Sequence, residues 1–290
     1  MSSSRIDSSL TDASRMLSAS PTPGLDAELL LAHVLSKPLS YFYTWPEALL
    51  TQEQLSSFQT LVERRQAGVP VAYLTGYREF WSLQLKVTEA TLIPRPDTEL
   101  LVELALTIGL DFPQNQSDAS PIRVADLGTG TGAIALALAK EQPDWEVTAI
   151  EKSPEALDVA RENATSNGIS NVDFLEGSWC SPLVENSMDM MVSNPPYIRD
   201  DDPHLKEGDV RYEPLTALIS GSDGLNDIRS IARESLQVLK PGGWLLMEHG
   251  YDQAKDVQNI LSLAGFIQIR TDTDLAGHDR VTLAQKHITQ

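Results

Sequence analysis

Apolar residues follow two rhythms along this chain, and the change of rhythm divides it. Up to about residue 75 they recur at helical spacing. "LDAELLLAHVL" (25–35) has a dense apolar face, and in "TQEQLSSFQTLVERR" (51–65) Leu55, Phe58, Leu61 and Val62 share one side. Thr51, with Gln54 three positions later, forms a capping box that starts the second of these helices. Gly and Pro in "GVPVAYLTGYREF" (68–80) break the helical run, and "EFWSLQLKVTEATLI" (79–93) shows the partial alternation of a hairpin. Pro96, Asp97 and Glu99 suit the first turn of a helix that reaches about residue 108. "GLDFPQNQSDASP" (109–121) reads as a polar surface loop.

Beyond it strands and helices alternate: "IRVADLG", "GAIALALAKEQ", "EVTAIE", "SPEALDVARENATSNG", "VDFLEG" and "MDMMVSN". A long loop (199–226), the helix "DIRSIARESLQVL", the strand "GWLLMEHG" and a last strand pair, "GFIQIRT" with "RVTLAQK", complete the pattern. Such alternation predicts an α/β fold with a mostly parallel sheet covered on both faces. The expected organisation is a helical domain over 1–75, a β-hairpin linker over 76–93 and an α/β domain over 94–290.

Composition narrows the class. Hydrophobic residues make up 41% of 290, enough for a substantial core. The opening is polar, and no apolar run approaches the ~20 residues of a membrane helix, so neither a signal peptide nor a membrane span is expected. A single cysteine, Cys180, permits no intrachain disulfide and suits a cytoplasmic enzyme with an inert thiol. Lys plus Arg total 22 against 41 Asp plus Glu, a net charge of −19 that opposes a nucleic-acid partner. The five histidines (33, 204, 249, 278, 287) are scattered, and no metal site is expected. His249 reads as a structural residue, Glu248 as structural or as a support behind the site residues, and "DDDPH" (200–204) as an acidic lid.

Two stretches carry the chemistry. In "VADLGTGTGAIALALA" (124–139) a strand runs through Gly128, Thr129, Gly130, Thr131 and Gly132 into a helix, a turn that lets a ligand approach main-chain atoms. Some twenty residues on, Glu151 ends the next strand and can accept the hydroxyls of a ribose. That pair suits a nicotinamide dinucleotide and S-adenosylmethionine equally. "VSNPPYIRD" (192–200) separates them. Asn194 can offer a side-chain carbonyl and Pro195 its main-chain carbonyl to the two N–H bonds of a planar amino group. Pro196 restrains the residue before it, so both acceptors sit on a stiff scaffold. Tyr197 offers a flat face for stacking. Acceptors fixed in this way activate a delocalised nitrogen toward a methyl group without a strong base.

With these residues the chain resembles the HemK-type glutamine N5-methyltransferases of peptide chain release factors. The likeness is strongest over "PVAYLTGYREFWSLQLKVTEATLIPRPDTELLVE" (70–103), the glycine loop, "VSNPPYIRDDDPHLKEGDVRYEPLTAL" (192–218), "PGGWLLMEHG" and "AGHDRVTLAQ". The resemblance implies a Rossmann-like class I S-adenosylmethionine-dependent methyltransferase sheet, with a small helical N-terminal domain that grips the release factor. It implies that Gly128 to Gly132 line the S-adenosylmethionine site, that Glu151 holds the ribose and that Trp179 lies beside the adenosine. Asn194, Pro195, Pro196 and Tyr197 would hold the glutamine of the Gly-Gly-Gln tip. Glu151 stands where many relatives have Asp, and Ser178 where an acid is frequent. The protein is expected to be monomeric. The alternatives are methylation of an exocyclic amino group in DNA or RNA, a nicotinamide oxidoreductase, and an inactive binding module.

Overall fold

A computed structural model of the chain describes residues 4–110, 112 and 120–288. The chain divides into two compact units. One extends to Tyr77 and includes His204–Tyr212; the other runs from Arg78 to Pro203 and from Glu213 onward.

The first unit is helical: α1 Ile6–Met16, α2 Pro23–Leu35, α3 Ser40–Thr44, α4 Gln52–Gln66 and α5 Val71–Thr75. Both halves of the capping box form. The Gln54 N–H donates to Thr51 Oγ1 at 3.2 Å, and the Thr51 N–H donates to Gln54 Oε1 at 2.9 Å. Ile6, Leu30, Leu31, Phe58 and Val62 meet in one apolar cluster. At its edge the buried Arg65 guanidinium donates to Asp26 Oδ2 at 2.7 Å and to Asp209 Oδ1 at 2.8 Å. Arg211 Nη2 and the Tyr212 hydroxyl both donate to the Ala67 carbonyl. These bonds hold His204–Tyr212 to the helices although it lies far along the chain.

The second unit begins one residue into a hairpin, β1 Tyr77–Phe80 and β2 Leu83–Lys86. Its strands end at Lys86; residues 87–93 form turns, where the Thr88 N–H donates to Thr91 Oγ1, so the pairing is shorter than the composition of 79–93 suggests. After a 3-10 turn at Pro96–Thr98 comes α6, Glu99–Leu110. The loop expected over 109–121 lies mostly outside the described residues. Then follow β3 Arg123–Leu127, α7 Ala133–Glu141, β4 Glu146–Glu151, α8 Pro154–Ser166, β5 Val172–Glu176 and β6 Met188–Ser193. The chain closes with α9 Asn226–Val238, β7 Leu239–Glu248, α10 Ala254–Ala264, β8 Ile267–Thr273 and β9 Asp279–Gln285.

Among the described residues, seven strands form one sheet in the order β5-β4-β3-β6-β7-β9-β8. The β5 to β7 neighbours pair in parallel, whereas β9 runs antiparallel between β7 and β8. Alternate side chains of each strand feed opposite layers. Val124, Met190 and Val192 pack with Leu101, Val102 and α7 on one face, and this layer also takes Phe80, Leu83 and Leu85 of the hairpin. Ala125, Leu127, Met191 and Met247 pack with Ile228, Ile231, Val257 and Leu261 of α9 and α10 on the other. Burial on both faces explains why these strands read as near-continuous apolar runs. Helix α10 is absent from the expectation. It buries Ala254, Val257 and Leu261 along one side, and Gly265 ends it at φ +107°.

Candidate active site

The strand order explains why two motifs far apart in sequence meet. The chain builds outward from β3 to β4 and β5, then returns to lay β6 on the other side of β3. Such a reversal opens a crevice at the carboxyl ends of the two central strands. Leu127 of β3 pairs with Ser193 of β6, and the Ser193 hydroxyl donates to the Leu127 carbonyl at 2.8 Å. Gly128 and Asn194 are each the next residue, so the glycine loop and the Asn-Pro-Pro-Tyr corner leave the sheet side by side.

Buried acceptors stitch the glycine loop down. The Gly128 and Thr129 N–H groups both donate to the Ile150 carbonyl at 2.9 Å. Asp126 Oδ2 accepts the Thr129 hydroxyl at 2.6 Å and the Ala135 N–H at 3.1 Å, and burial pushes the Asp126 carboxyl up to about 7. Glu151 Oε2 accepts the Gly130 N–H at 3.0 Å, while Oε1 accepts from Lys152 and Ser153. Three donors fill part of a carboxylate that offers about four lone-pair sites, so Glu151 retains capacity for a ligand hydroxyl. Gly128 has φ +74°, and a Cβ there would lie 3.1 Å from the Trp179 ring. A Cβ on Gly130, at φ +56°, would meet nothing within 4 Å, which marks open space before the loop.

At the corner, the Asn194 Nδ2 group donates to Thr98 Oγ1 at 3.2 Å. That assignment leaves Oδ1 as the free end of the carboxamide. Pro195 and Pro196 are buried. The Tyr197 carbonyl accepts Gln253 Nε2 at 3.0 Å and lies 2.3 Å from where a Cβ on Gly224 would sit, so glycine is required there. The Tyr197 hydroxyl donates to Glu248 Oε1 at 3.2 Å.

Loop and corner share the walls of a cavity of about 580 Å³. Gly128, Thr129, Gly130, Thr131, Glu151, Ser178, Trp179, Asn194 and Pro196 line it, joined by Thr98 and by Pro94 and Pro214 at other edges. A flat indole, a strand-end carboxylate and open main chain before Gly130 fit the adenosine half of S-adenosylmethionine. This chain is 52% identical over 283 residues to the release factor glutamine methyltransferase of Vibrio cholerae, covering 97% of this chain and 96% of that one.

The chain belongs to the release factor glutamine methyltransferase family.

A second member, from Escherichia coli, is 47% identical over 276 residues, covering 95% and 97% of the two chains. The family description "PrmC N-terminal domain" matches residues 8–76, and "Methyltransferase domain" matches residues 118–284. A solved methyltransferase from Pyrococcus furiosus shares the fold, with a TM-score of 0.51 at 18% identity over 80% of this chain and all of that one. The sheet is thus the Rossmann-like methyltransferase sheet.

Among the described residues, Gly132, Pro195 and Tyr197 do not line the cavity, although Pro195 sits between two residues that do, Asn194 and Pro196. Gly132, at φ +84°, caps α7 from the left-handed region, and a Cβ on it would press Leu136 and Ala160; its smallness serves helix packing. The Tyr197 ring packs into the apolar layer of α9 and α10 rather than standing as a stacking face, and its hydroxyl is committed to Glu248. Residues outside the glycine loop and the Asn-Pro-Pro-Tyr corner also position the site. Asn163 Nδ2 donates to the Thr131 carbonyl at 2.9 Å, and Thr98 and Gln253 hold the corner. Thr98 lies inside "LIPRPDTE", where the resemblance is most specific; nothing comparable marks Asn163 or Gln253.

Proposed function

We propose that this protein transfers a methyl group from S-adenosylmethionine to the side-chain amide nitrogen, N5, of the glutamine in the Gly-Gly-Gln motif of peptide chain release factors. One observation carries the reading: Asn194 spends its N–H end on Thr98 and so keeps its carbonyl end for the cavity. An acceptor-presenting carboxamide suits a substrate nitrogen that bears two N–H bonds.

Bound S-adenosylmethionine supplies an electrophilic methyl group on a sulfonium. Gly128 to Thr131 and Glu151 hold that donor through main-chain contact and the ribose hydroxyls, with Trp179 against the adenine. Asn194 Oδ1 and the Pro195 carbonyl accept the two N–H bonds of the glutamine carboxamide, raise charge on its nitrogen and fix its direction. Pro195 has no N–H of its own and a locked φ, so its carbonyl needs little reorganisation. No protein base is required, because the extra proton on the product nitrogen leaves to water.

The net charge of −19 supports a protein substrate over a nucleic acid. Among the described residues no helix is long and apolar enough to cross a membrane. We place the enzyme in the cytoplasm as a monomer, with its helical unit gripping the release factor. The test is label transfer from S-adenosylmethionine to separate pools of release factor, DNA and ribosomal RNA. Label on release factor, lowered about 10²–10³-fold in Asn194→Ala as for loss of an oxyanion contact, is expected. Label on nucleic acid alone overturns the proposal.

A further inference from the structure

The mechanism above assigns the glycine loop and the corner, yet the cavity has a third wall. Pro94 lines it from one segment, and Pro214, Thr216 and Ile219 line it from another that lies far along the chain. One acid joins the two segments. Glu213 has a fully buried side chain. Its Oε2 accepts the Ile93 N–H at 3.3 Å, and its Oε1 accepts Arg95 Nη2. Those donors stand on either side of Pro94, so the carboxylate grips that proline from both flanks, and Pro214 is the residue next to Glu213 itself.

Further bonds close a circuit. The Ile198 N–H donates to the Leu218 carbonyl at 2.8 Å, and the Ser220 N–H donates to the Ile198 carbonyl at 2.9 Å. These tie the end of the 213–219 segment to the exit of the Asn-Pro-Pro-Tyr corner. At the start of the corner, Asn194 Nδ2 donates to Thr98 Oγ1 at 3.2 Å, and Thr98 continues the segment that bears Pro94. The chain thus runs from Pro94 to Thr98, across to Asn194, on to Ile198, across to Ile219 and back to Glu213. Pro94, Thr98, Asn194 and Ile219 of this circuit line the cavity.

We propose that Glu213 is a positioning residue for methyl transfer: by clasping the Pro94 segment to the Pro214 segment it sets where the substrate carboxamide lies against Asn194. The inference rests on the methyl-transfer reading and names what keeps the acceptor in register with the donor. A carboxylate is a costly filling for a wall, since its partner only partly offsets its desolvation. A leucine would fill the space without that cost, but it could not receive two donors. Glutamine has one oxygen where the carboxylate has two. Given to Ile93, that oxygen turns the N–H end against Arg95, donor against donor; given to Arg95, it abandons Ile93. Pro94 and Pro214 each have a locked φ, so a shift at the clasp passes along the wall instead of being absorbed by local rotation. Neither Ile93 nor Arg95 is among the residues assigned to the cofactor, so loss of the clasp falls on the acceptor first.

Glu213→Gln, assayed beside the parent on whole release factor, tests this. At saturating release factor its kcat is expected to fall about ten- to hundredfold, as for an acceptor displaced by up to about 1 Å. The Kd of S-adenosylhomocysteine, by calorimetry, should stay within about threefold of the parent's. Temperature separates this from lost stability. The deficit should persist at about 10 °C once circular dichroism shows the variant folded, whereas a merely destabilised enzyme regains the parent kcat there. Glu213→Asp, which keeps the charge but is too short to reach both donors, should fall with Glu213→Gln. Parent-like kcat in Glu213→Gln, recovery of kcat in the cold, or a Kd for S-adenosylhomocysteine that rises in step with the loss of kcat overturns the positioning role. Should that variant fail to fold, Pro214→Gly replaces it: the clasp stays and the wall is freed to rotate, so kcat should fall severalfold, and a parent-like kcat overturns the role instead. A parent that leaves release factor unlabelled overturns the proposed function, whereas a labelled parent beside an equally fast variant refutes this inference alone.

Discussion

Asn163 is the residue whose removal most directly tests how the glycine loop is held. Its side chain makes three bonds from α8: Oδ1 accepts the Lys86 N–H at 2.6 Å, and Nδ2 donates to the carbonyls of Lys86 at 3.0 Å and Thr131 at 2.9 Å. One carboxamide thus joins the hairpin to the loop, and it does so with 1% of its surface exposed. Asn163→Ala removes all three bonds. The Thr131 bond is buried, so water does not readily replace it, and its loss costs about 1–3 kcal/mol. The two groups of Lys86 are only half-buried and can be rehydrated in part, adding about 1 kcal/mol each. The sum is about 3–5 kcal/mol, or roughly 10 °C in the melting midpoint of a unit this size. Asn163→Asp should be at least as damaging, because it aims a second oxygen at two carbonyls. Differential scanning fluorimetry of both variants, with and without S-adenosylhomocysteine, measures the loss. Initial rates should show a raised KM for S-adenosylmethionine, since Thr131 lines the cavity, with a smaller change in kcat. A midpoint within about 2 °C of the parent in Asn163→Ala would refute the accounting.

Other perturbations probe the remaining walls. The Asp126 carboxyl titrates near 7 in the folded protein and near 3.8 when unfolded, so between about pH 4 and 7 the folded state alone keeps its proton. Stability from this group falls as pH rises through that window, and Asp126→Asn removes the dependence. Urea titrations should show the variant gaining on the parent by a few kcal/mol from about pH 4 to 8; a gap independent of pH rejects the buried acid. Glu213, its carboxyl fully buried, accepts from the Ile93 N–H and from Arg95 and so ties the segments bearing Pro94 and Pro214. Arg95→Ala, which strips that carboxylate of its cation, should destabilise by roughly 3 kcal/mol and more than Glu213→Gln does; the reverse order, by urea melts, contradicts the assignment. Tyr43, Trp45 and Leu49 stand exposed on the helical unit. If that unit grips the release factor, Trp45→Ala raises KM for the whole factor severalfold and leaves a short Gly-Gly-Gln peptide unaffected, and equal effects on both substrates exclude it.

Much of this was legible before any coordinates, for a physical reason: local signals are written in adjacent residues. The Thr51–Gln54 box, the strand-to-glycine turn and the apolar parallel strands each depend on neighbours a few positions apart. What stayed hidden depends on closure of the sheet. Thr98 reaches Asn194 across 96 positions and Asn163 reaches Lys86 across 77, and no local pattern anticipates either pair. Gly132 and Gly128 look alike as letters but differ in what surrounds them: one faces the Trp179 ring at the cavity, the other Leu136 and Ala160. Tyr197 misled for a related reason. An aromatic after two prolines suggests a platform, yet the φ restraint at the corner says nothing about which way the ring turns. The β7 hydroxyl partner, Glu248, decides that.

The doubled proline is best understood through the donors it lacks. A chain that turns from a strand into a helix at a ligand crevice brings free N–H groups to the rim, and those N–H groups suit anions. Pro195 and Pro196 bring none, while their carbonyls remain. Asn194 would undo this with its own amide N–H bonds, but Thr98 takes the Nδ2 end inward. At the neighbouring strand end, Glu151 takes up the Gly130 N–H in the same sense. In both places a donor is consumed on the protein side, and the corner is left presenting oxygen. Such a rim receives N–H and O–H bonds and repels phosphates and carboxylates. That is the polarity a carboxamide nitrogen and a ribose require, and it follows from where the buried acceptors sit.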